Sequence, residues 1–197
     1  MGRRERKREG TRQDILLAAT HLFKEKGFEA ASIDEIVGCA DLAKGTFYYH
    51  FQSKDEVLGA LRFQAIEAAV RAAETLLEGG QSPLEVIQSF LVNTATWSQE
   101  NPELARAFYT RGPQFLPRRL AKDGKVAAVR TILSRIVAAG QAQGQLRSDL
   151  DADTISQLII FLLFHAQATW VFEGEKDSVV QRVTHWYRAV LEGIAVK

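Results

Sequence analysis

The chain has 197 residues, of which 46% are hydrophobic and 25% are charged, and its formal net charge is +1. Such a chain can bury a substantial core in one or two domains, and its near-neutral charge excludes a globally basic nucleic-acid coat protein. No segment is typical of a signal peptide. The longest apolar run, Leu158 to Phe164, is far shorter than the roughly 20 residues that cross a bilayer, so a cytoplasmic protein without a membrane partner is expected.

The first dozen residues carry a local excess of four positive charges, because six basic residues oppose only Glu5 and Glu9. Two interpretations stay open: a basic arm that lies along DNA phosphates or enters a minor groove, and a solvated, disordered terminus. The basic residues of the first dozen are Arg3, Arg4, Arg6, Lys7, Arg8 and Arg12.

Thr11 and Asp14 can then cap a helix that runs to about Gly27.

Two short helices with a tight turn between them are predicted next. Ser32 followed by Glu35 is a capping box, so a helix begins directly after Ser32. Its apolar periodicity ends near Asp41, a small polar residue suited to a turn. In the helix that follows, Phe47 and Phe51 stand four residues apart and can share one buried stripe.

The exposed positions of this second helix are mostly mediocre or poor helix formers, so something other than helix stability selected them. Glycine permits the close approach of another backbone, and hydroxyl, imidazole and ammonium groups are suitable donors to phosphate oxygens. We therefore expect this helix to bind a polyanion. The residues concerned are Lys44, Gly45, Thr46, Tyr48, Tyr49 and His50.

A further capping box, Ser53 with Glu56, begins another helix at Lys54.

The segment from Ser32 to Lys54 resembles the helix-turn-helix of TetR-type bacterial transcriptional repressors. The recognition helix of that family reads Gly, Thr or Ser, an apolar residue, Tyr, any residue, His or Tyr, and Phe, and a Lys begins the next helix. Each position is met here, by Gly45, Thr46, Phe47, Tyr48, Tyr49, His50, Phe51 and Lys54. The alternative is an aromatic-rich surface helix of another all-helical protein.

The resemblance implies a role for each matched residue. Base edges are approached by Lys44 and Gly45, with Thr46 near the groove. Phosphates are held by Tyr48, Tyr49, His50 and Lys54, and Ser32 touches the DNA backbone from the first motif helix.

The rest of the chain also predicts helices. One long helix runs without a linker from Lys54 to about Glu78, and others follow from Pro83, Pro102, about Asp123, Asp153 and Asp177, with a break at Gly112 to Pro117. The expected fold class is all-α, with about nine helices. Residues 1–52 are expected to form a basic N-terminal arm and a helix-turn-helix DNA-binding domain, and residues 53–197 a helical effector-binding and dimerisation domain.

The last two helices are too apolar to be covered easily by one protomer. Every face is apolar from Leu158 to Phe164, which indicates burial on all sides. The resemblance implies that these helices pair with those of a second subunit as a four-helix bundle, and a deep monomer core is the alternative. The expected interface residues are Leu158, Leu162, Val179, Val183, Trp186 and Val190.

Aromatic residues from several helices, mixed with a few polar ones, indicate a small-molecule site in the second domain. Aromatic residues at helical spacing are more often ordinary core, so this set stays an open hypothesis. Its composition favours a small hydrophobic effector, aromatic or acyl-chain in type. The candidates are Phe63, Phe90, Asn93, Trp97, Phe108, Phe115, Phe161, Phe164 and His165.

Three classes of function compete: a ligand-responsive repressor, an all-helical enzyme, and a DNA-binding structural protein without an effector. The sequence has no serine or cysteine nucleophile motif, no glycine-rich phosphate loop and no HExxH. Cys39, the only cysteine, excludes a cysteine-based metal cluster, and it is expected beside a buried helix face. We therefore expect a repressor rather than an enzyme, with no metal or cofactor. It would bind a palindromic operator as a homodimer and be released by the effector.

Overall fold

The structure is a computed structural model in which residues 2–111 and 125–194 are described. Within these ranges every regular element is a helix, and their number matches the nine expected, so the all-α fold class is confirmed. The predicted break at residues 112–117 lies outside the described residues. The helices are α1 (Arg3–Lys26), α2 (Ile33–Cys39), α3 (Lys44–His50), α4 (Lys54–Glu78), α5 (Pro83–Glu100), α6 (Pro102–Thr110), α7 (Lys125–Ala142), α8 (Ala152–Phe172) and α9 (Val179–Ile194).

The chain divides into two compact units. The first comprises Met1–Phe63 and Glu103–Pro117, and the second comprises Gln64–Pro102 and Arg118–Lys197. The division falls inside α4, whose first turns belong to one unit and whose later turns belong to the other. The assignment of DNA binding to residues 1–52 and of effector binding and dimerisation to residues 53–197 stays a prediction.

The first unit is built on large side chains from each of its first three helices. Ile15 and Phe23 of α1, Ile36 of α2 and Phe47 of α3 are all fully buried. Asp41 adopts a φ of 51° in the turn between α2 and α3, a left-handed conformation that aspartate tolerates better than most residues. The turn ends α2 and lets α3 begin three residues after Asp41, at Lys44.

Helix α1 starts at Arg3, nine residues before Arg12, the first helical residue predicted from a cap at Thr11. The amide N–H of Gly2 donates to Glu5 Oε2 at 3.1 Å, and Gln13 Nε2 donates to Glu9 Oε1 at 2.9 Å. These local bonds support a helix in a segment with no apolar stripe. The prediction of the start was wrong because apolar periodicity cannot detect such turns.

The second unit packs α9 against α5 and α8. Val179, Val183 and Tyr187 are spaced four residues apart on the inner face of α9, and all three are buried. Tyr187 donates to the carbonyl oxygen of Leu84 at 3.1 Å, and its burial raises the pKa of the phenol above the ordinary range. A second buried contact joins α5 to α8, where Ser98 Oγ donates to Gln167 Oε1 at 2.5 Å.

Helix α8 is more apolar as a whole than its longest uninterrupted apolar run suggested. Its 21 residues include an 18-residue window with a mean hydropathy of 1.6, so by length and composition alone the helix could cross a membrane. However, 56% of the apolar window is buried inside the fold, as in the core helix of a globular protein. This helix is therefore weak support for a membrane span.

Candidate DNA interface

Helix α3 is anchored by one face and exposed on the other. Phe47 is fully buried, with its ring centroid 6.0 Å from that of Phe51. Tyr48 and Tyr49 are 51% and 66% exposed, although tyrosine is large and mostly apolar. The anchored phenylalanines therefore hold two tyrosines toward the outside of the first unit, as the sequence predicted.

No contact within the protein requires a glycine at position 45. A Cβ added at this position meets no atom within 4 Å, and the residue is exposed within α3. Glycine in a helix interior costs roughly 0.5 to 1 kcal/mol relative to alanine. Since neither packing nor turn geometry requires it, this cost points to an external molecule that approaches the helix closely.

Lys44, at the start of α3, is paired with a residue of α2. Its ammonium lies 2.7 Å from Asp34 Oδ1, and this hydrogen bond, with the charge of Asp34, raises the pKa of Lys44 above its ordinary value. Both side chains are more than half exposed. Exposed ion pairs contribute little to stability, so Lys44 can exchange Asp34 for another anion at small cost.

The start of α2 is fixed by the predicted capping box. The amide N–H of Glu35 donates to Ser32 Oγ at 3.2 Å, and the amide N–H of Ser32 donates to Glu35 Oε2 at 2.8 Å. Hydrogen bonds from Lys26 and Ser32 lower the pKa of Glu35 to about 2. The Ser32 hydroxyl donates to Glu35 Oε2 as well, at 2.7 Å, so a contact from this hydroxyl to DNA would replace that bond.

One groove of the first unit brings together four of the eight residues predicted to contact DNA. They come from the start of α2, from α3 and from the start of α4, and acidic residues share the lining. Gly45, Thr46, Tyr49 and His50 do not line this groove. The four residues are Ser32, Lys44, Tyr48 and Lys54, and the acidic neighbours are Glu29, Asp34 and Asp55.

The structure gives Lys54 a different contact from the predicted phosphate. Its ammonium donates to the carbonyl oxygens of Phe28, Glu29 and Ala31, at 2.8, 3.1 and 2.6 Å. An ammonium has three donors, and all three are engaged in the turn between α1 and α2. A phosphate contact from Lys54 would have to replace one of these bonds.

Arg111, at the end of α6, holds the same turn from another direction. Its guanidinium carbon lies 4.1 Å from the ring centroid of Phe28, and the Lys54 ammonium lies 4.8 Å from that centroid. Arg111 also pairs with Glu29 and, at 3.2 Å, with Asp55. The side chains of Lys54 and Arg111 therefore both contact the turn that leads into α2.

Two exposure predictions were wrong in this unit. His50 is only 8% exposed, because it lies at the end of α3 on the side that faces the core. Its ring stacks edge-on to Tyr49 at 5.0 Å, so it supports that tyrosine rather than presenting itself to solvent. Cys39 is exposed, not placed against the buried face of α2.

The large hydrophobic side chains that are exposed in the described residues cluster in two places. Two are the tyrosines of α3, and three lie on one face of α8; nothing in the structure explains the remaining one, Leu17. The α8 stripe, which we define as Leu158, Phe161, His165 and Phe172, follows helical spacing. His165 stacks on Phe161 at 5.6 Å, and Trp186 of α9 lies 5.6 Å from the His165 ring.

The predicted interface set is corrected in part by this arrangement. Val179 and Val183 are fully buried within the protomer, where α9 packs against α5 and α8, and Leu162 of α8 is only 8% exposed. Leu158 is 46% exposed, and Trp186 and Val190 are half-buried. Phe161 and His165, predicted to line an effector site, belong instead to the exposed α8 stripe.

A small cleft in the second unit contains two of the predicted effector residues, Asn93 and Trp97. Its volume is about 260 Å³, and the rest of its lining is Ala65, Ala68, Ala69, Thr96 and Glu100. Phe90 is buried in the core of the second unit, Phe63 and Phe108 are buried residues of the first unit, and Phe164 is half-buried. Phe115 lies outside the described residues.

Sequence reasoning missed several of these residues. The three alanines of the cleft lie on one face of α4. Small residues at helical spacing can indicate a cleft, but the sequence prediction considered mainly aromatic residues and so did not include them. Asp34 and Arg111 gave no local signal, since their partners lie elsewhere in the chain.

Comparison with known proteins identifies the family. The model described as bacterial regulatory proteins, tetR family, matches residues 15–61, and the model described as YsiA-like protein, C-terminal region, matches residues 125–193. The chain belongs to the TetR family. It is therefore a transcriptional regulator rather than an enzyme, as the motif predicted.

The relatives of this TetR-family chain match most of its length. It is 26% identical over 171 residues to the uncharacterized HTH-type transcriptional regulator YdgC of Bacillus subtilis, which covers 85% of this chain and 84% of that protein. Among solved structures, FadR of Thermus thermophilus, a TetR-family repressor in complex with lauroyl-CoA, has a TM-score of 0.78 and 23% identity, over 94% and 96% of the two chains. FadR of Bacillus subtilis, in complex with stearoyl-CoA, has a TM-score of 0.71 and 20% identity, over 92% and 98%. At these identities the two structures establish the fold.

Proposed function

We propose that this TetR-family regulator is a cytoplasmic repressor that binds a palindromic operator as a homodimer and is released by a small hydrophobic effector. The observation that carries the DNA-binding part is the outer face of α3. On this face Tyr48 and Tyr49 are exposed, and no contact within the protein requires glycine at position 45. The ammonium of Lys44 lies beside them in an exposed ion pair with Asp34, which it can leave at small cost. These residues do not increase the stability of the isolated protein, but they suit a helix that lies in a major groove.

The proposal puts Lys44 and Gly45 at base edges, Thr46 near the groove, and Tyr48 and Tyr49 at phosphates. Lys54 and His50 serve as supports, because the first is bonded to three carbonyls and the second is buried. Ser32 approaches the backbone from the start of α2.

The homodimer is supported by the α8 stripe. Its exposed side chains, with Trp186 beside them, form an apolar surface of the kind that a second subunit covers. A symmetric dimer presents the same stripe from both protomers and sets two copies of α3 about 34 Å apart, or a multiple of that, on DNA.

Substitution Phe161→Glu tests the dimer, because it places a charge at a 66% exposed position within the stripe. Sedimentation is expected to give twice the 22.0 kDa protomer mass for the wild type and the protomer mass for the variant. Gln181→Glu is the matched control, since it adds the same charge at an exposed position of α9 outside the stripe. A wild-type protomer at tens of micromolar would overturn the dimer.

The effector proposal is supported by the cleft of the second unit. Alanines and Trp97 supply apolar walls, while Asn93, Thr96 and Glu100 supply polar groups. The volume of 260 Å³ is slightly below the usual range of about 300 to 1,000 Å³ for ligand pockets, so a long ligand would extend beyond the cleft. Since two proteins of the same fold bind acyl-CoA esters, an acyl chain is the first effector to test.

Helix α4 supplies a physical link for release. Ala65, Ala68 and Ala69 line the cleft, and the same helix begins at Lys54, which holds the turn before α2. Lauroyl-CoA is expected to weaken DNA binding, and DNA must then weaken lauroyl-CoA binding by the same factor. Because the chain has three tryptophans, the part of the fluorescence change that is lost in Trp97→Phe reports occupancy of the cleft, with coenzyme A alone as the control. If lauroyl-CoA fills the cleft and its affinity is equal with and without DNA, release by this ligand is excluded.

A further inference from the structure

The first two turns of α1 project beyond the core of the first unit. From Glu5 to Gly10 each residue is exposed, and the first buried side chain of the helix is Ile15. Packing therefore does not explain these turns. They carry most of the local excess of positive charge at the N-terminus.

This basic segment is oriented toward α3. The guanidinium carbon of Arg8 lies 5.7 Å from the ring centroid of Tyr49, and that of Arg12 lies 5.0 Å from the ring centroid of Phe51. Arg8 and Arg12 are four residues apart, so they share one face of α1. That face adjoins the end of α3, where Tyr49 is 66% exposed.

The contact with Tyr49 leaves Arg8 able to bind an anion. Stacking uses the flat face of a guanidinium, while its five N–H donors point outward along the edge. This edge fits the oxygens of a phosphate group in a bidentate geometry. Arg8 thus lies beside an exposed tyrosine and keeps guanidinium donors for a phosphate.

We propose that the start of α1 is a second DNA-binding surface, in which Arg8 binds a backbone phosphate outside the base pairs contacted by α3. It rests on the proposed DNA binding and extends it. The helical conformation decides between phosphate binding and entry into a minor groove. A helix is about 10 Å across with its side chains, whereas the minor groove of B-DNA is about 6 Å wide. A helical segment therefore lies on the backbone.

The test compares Arg8→Gln with wild type on two duplexes, one enriched from a random pool by the wild-type protein and one of scrambled sequence. Both affinities are expected to fall by the same factor, and the salt dependence of log K is expected to fall by about one unit. Arg8→Lys, which keeps the charge, should restore the slope. Lys24→Gln is the matched control, since it removes the same charge from an exposed position at the other end of α1.

Ethylation interference locates the contact. Ethylation of the outermost phosphates should block binding of the wild type and have no effect on Arg8→Gln. Equal affinity and slope for Arg8→Gln and wild type would overturn the inference. A lower affinity with an unchanged slope and a lower melting temperature would overturn it too, because Arg8 would then only stabilise the fold. If the wild type enriches no sequence and binds neither duplex, the proposed function itself fails.

Discussion

The ammonium group of Lys54 donates to the carbonyl oxygen of Ala31 at 2.6 Å, which ties the start of α4 to the residue just before the α2 capping box. With the bonds to Phe28 and Glu29, this contact makes Lys54 a positioning residue for the helix-turn-helix. Replacement by Met keeps the side-chain stem and removes all three bonds.

For Lys54→Met we expect a loss of stability of about 1 to 3 kcal/mol, the usual effect of leaving such groups without a partner. DNA affinity should fall while the salt slope stays unchanged, because no phosphate contact is removed. Urea unfolding and fluorescence anisotropy over a salt series measure the two effects. A slope lower by about one unit would instead show that Lys54 binds a phosphate.

Gly45→Ala should separate stability from DNA binding. The added methyl group meets open space, so the free energy of unfolding should rise by about 0.5 to 1 kcal/mol. DNA binding should weaken, since the methyl group enters the space that the DNA occupies. Gly10→Ala is the control, because position 10 is open and exposed and lies about 200° around α1 from Arg8, on the opposite face; it should stabilise without weakening DNA binding. Unchanged affinity for Gly45→Ala would mean that α3 does not approach DNA at this residue.

Asp34→Asn should strengthen DNA binding several-fold. The substitution releases Lys44 from its ion pair and removes a negative charge from the groove. A double-mutant cycle gives the control, because in a Lys44→Ala background the gain from Asp34→Asn should shrink. The same gain in both backgrounds would show that the effect is general charge repulsion and does not pass through Lys44.

Glu35 should make stability depend on pH. Its pKa is lowered from 4.5 to about 2 in the folded chain, so its contribution is complete above pH 4.5 and is lost as the pH falls toward 2. Glu35→Gln is expected to lower the melting temperature at pH 7, with a difference from wild type that shrinks below pH 4.5. Glu78→Gln, at an exposed position of α4, serves as the control. A difference that is constant down to pH 3 would exclude this carboxylate as the cause.

Local patterns in the sequence predicted the parts of the structure that depend on neighbouring residues. The Ser32–Glu35 capping box and the buried stripe of Phe47 and Phe51 both formed as expected. Contacts between distant residues could not be predicted in this way. The resemblance implies a phosphate contact for Lys54, and the carbonyl contacts that the structure shows could not be foreseen because these partners are 23 to 26 residues away in the chain.

The assignment of faces on the last two helices failed for a related reason. Where every position of a helix is apolar, periodicity cannot tell the inner face from the outer one. Periodicity therefore leaves the face of Phe161 open, and this residue is 66% exposed rather than enclosed in a pocket. Helix α9 has one apolar stripe, but the stripe alone cannot show that Val183 is buried within its own protomer, as the structure finds.

Selection of DNA from a random pool by the wild-type protein tests the central claim most directly. The selected sequences should share a palindrome with half-sites about one helical turn apart, or a multiple of it. Affinity for the selected duplex should exceed that for a scrambled one by about a thousandfold or more, and Lys44→Ala should reduce that ratio. Enrichment of no common sequence, or equal affinity for both duplexes, would contradict the assignment of α3 as a helix that recognises DNA sequence.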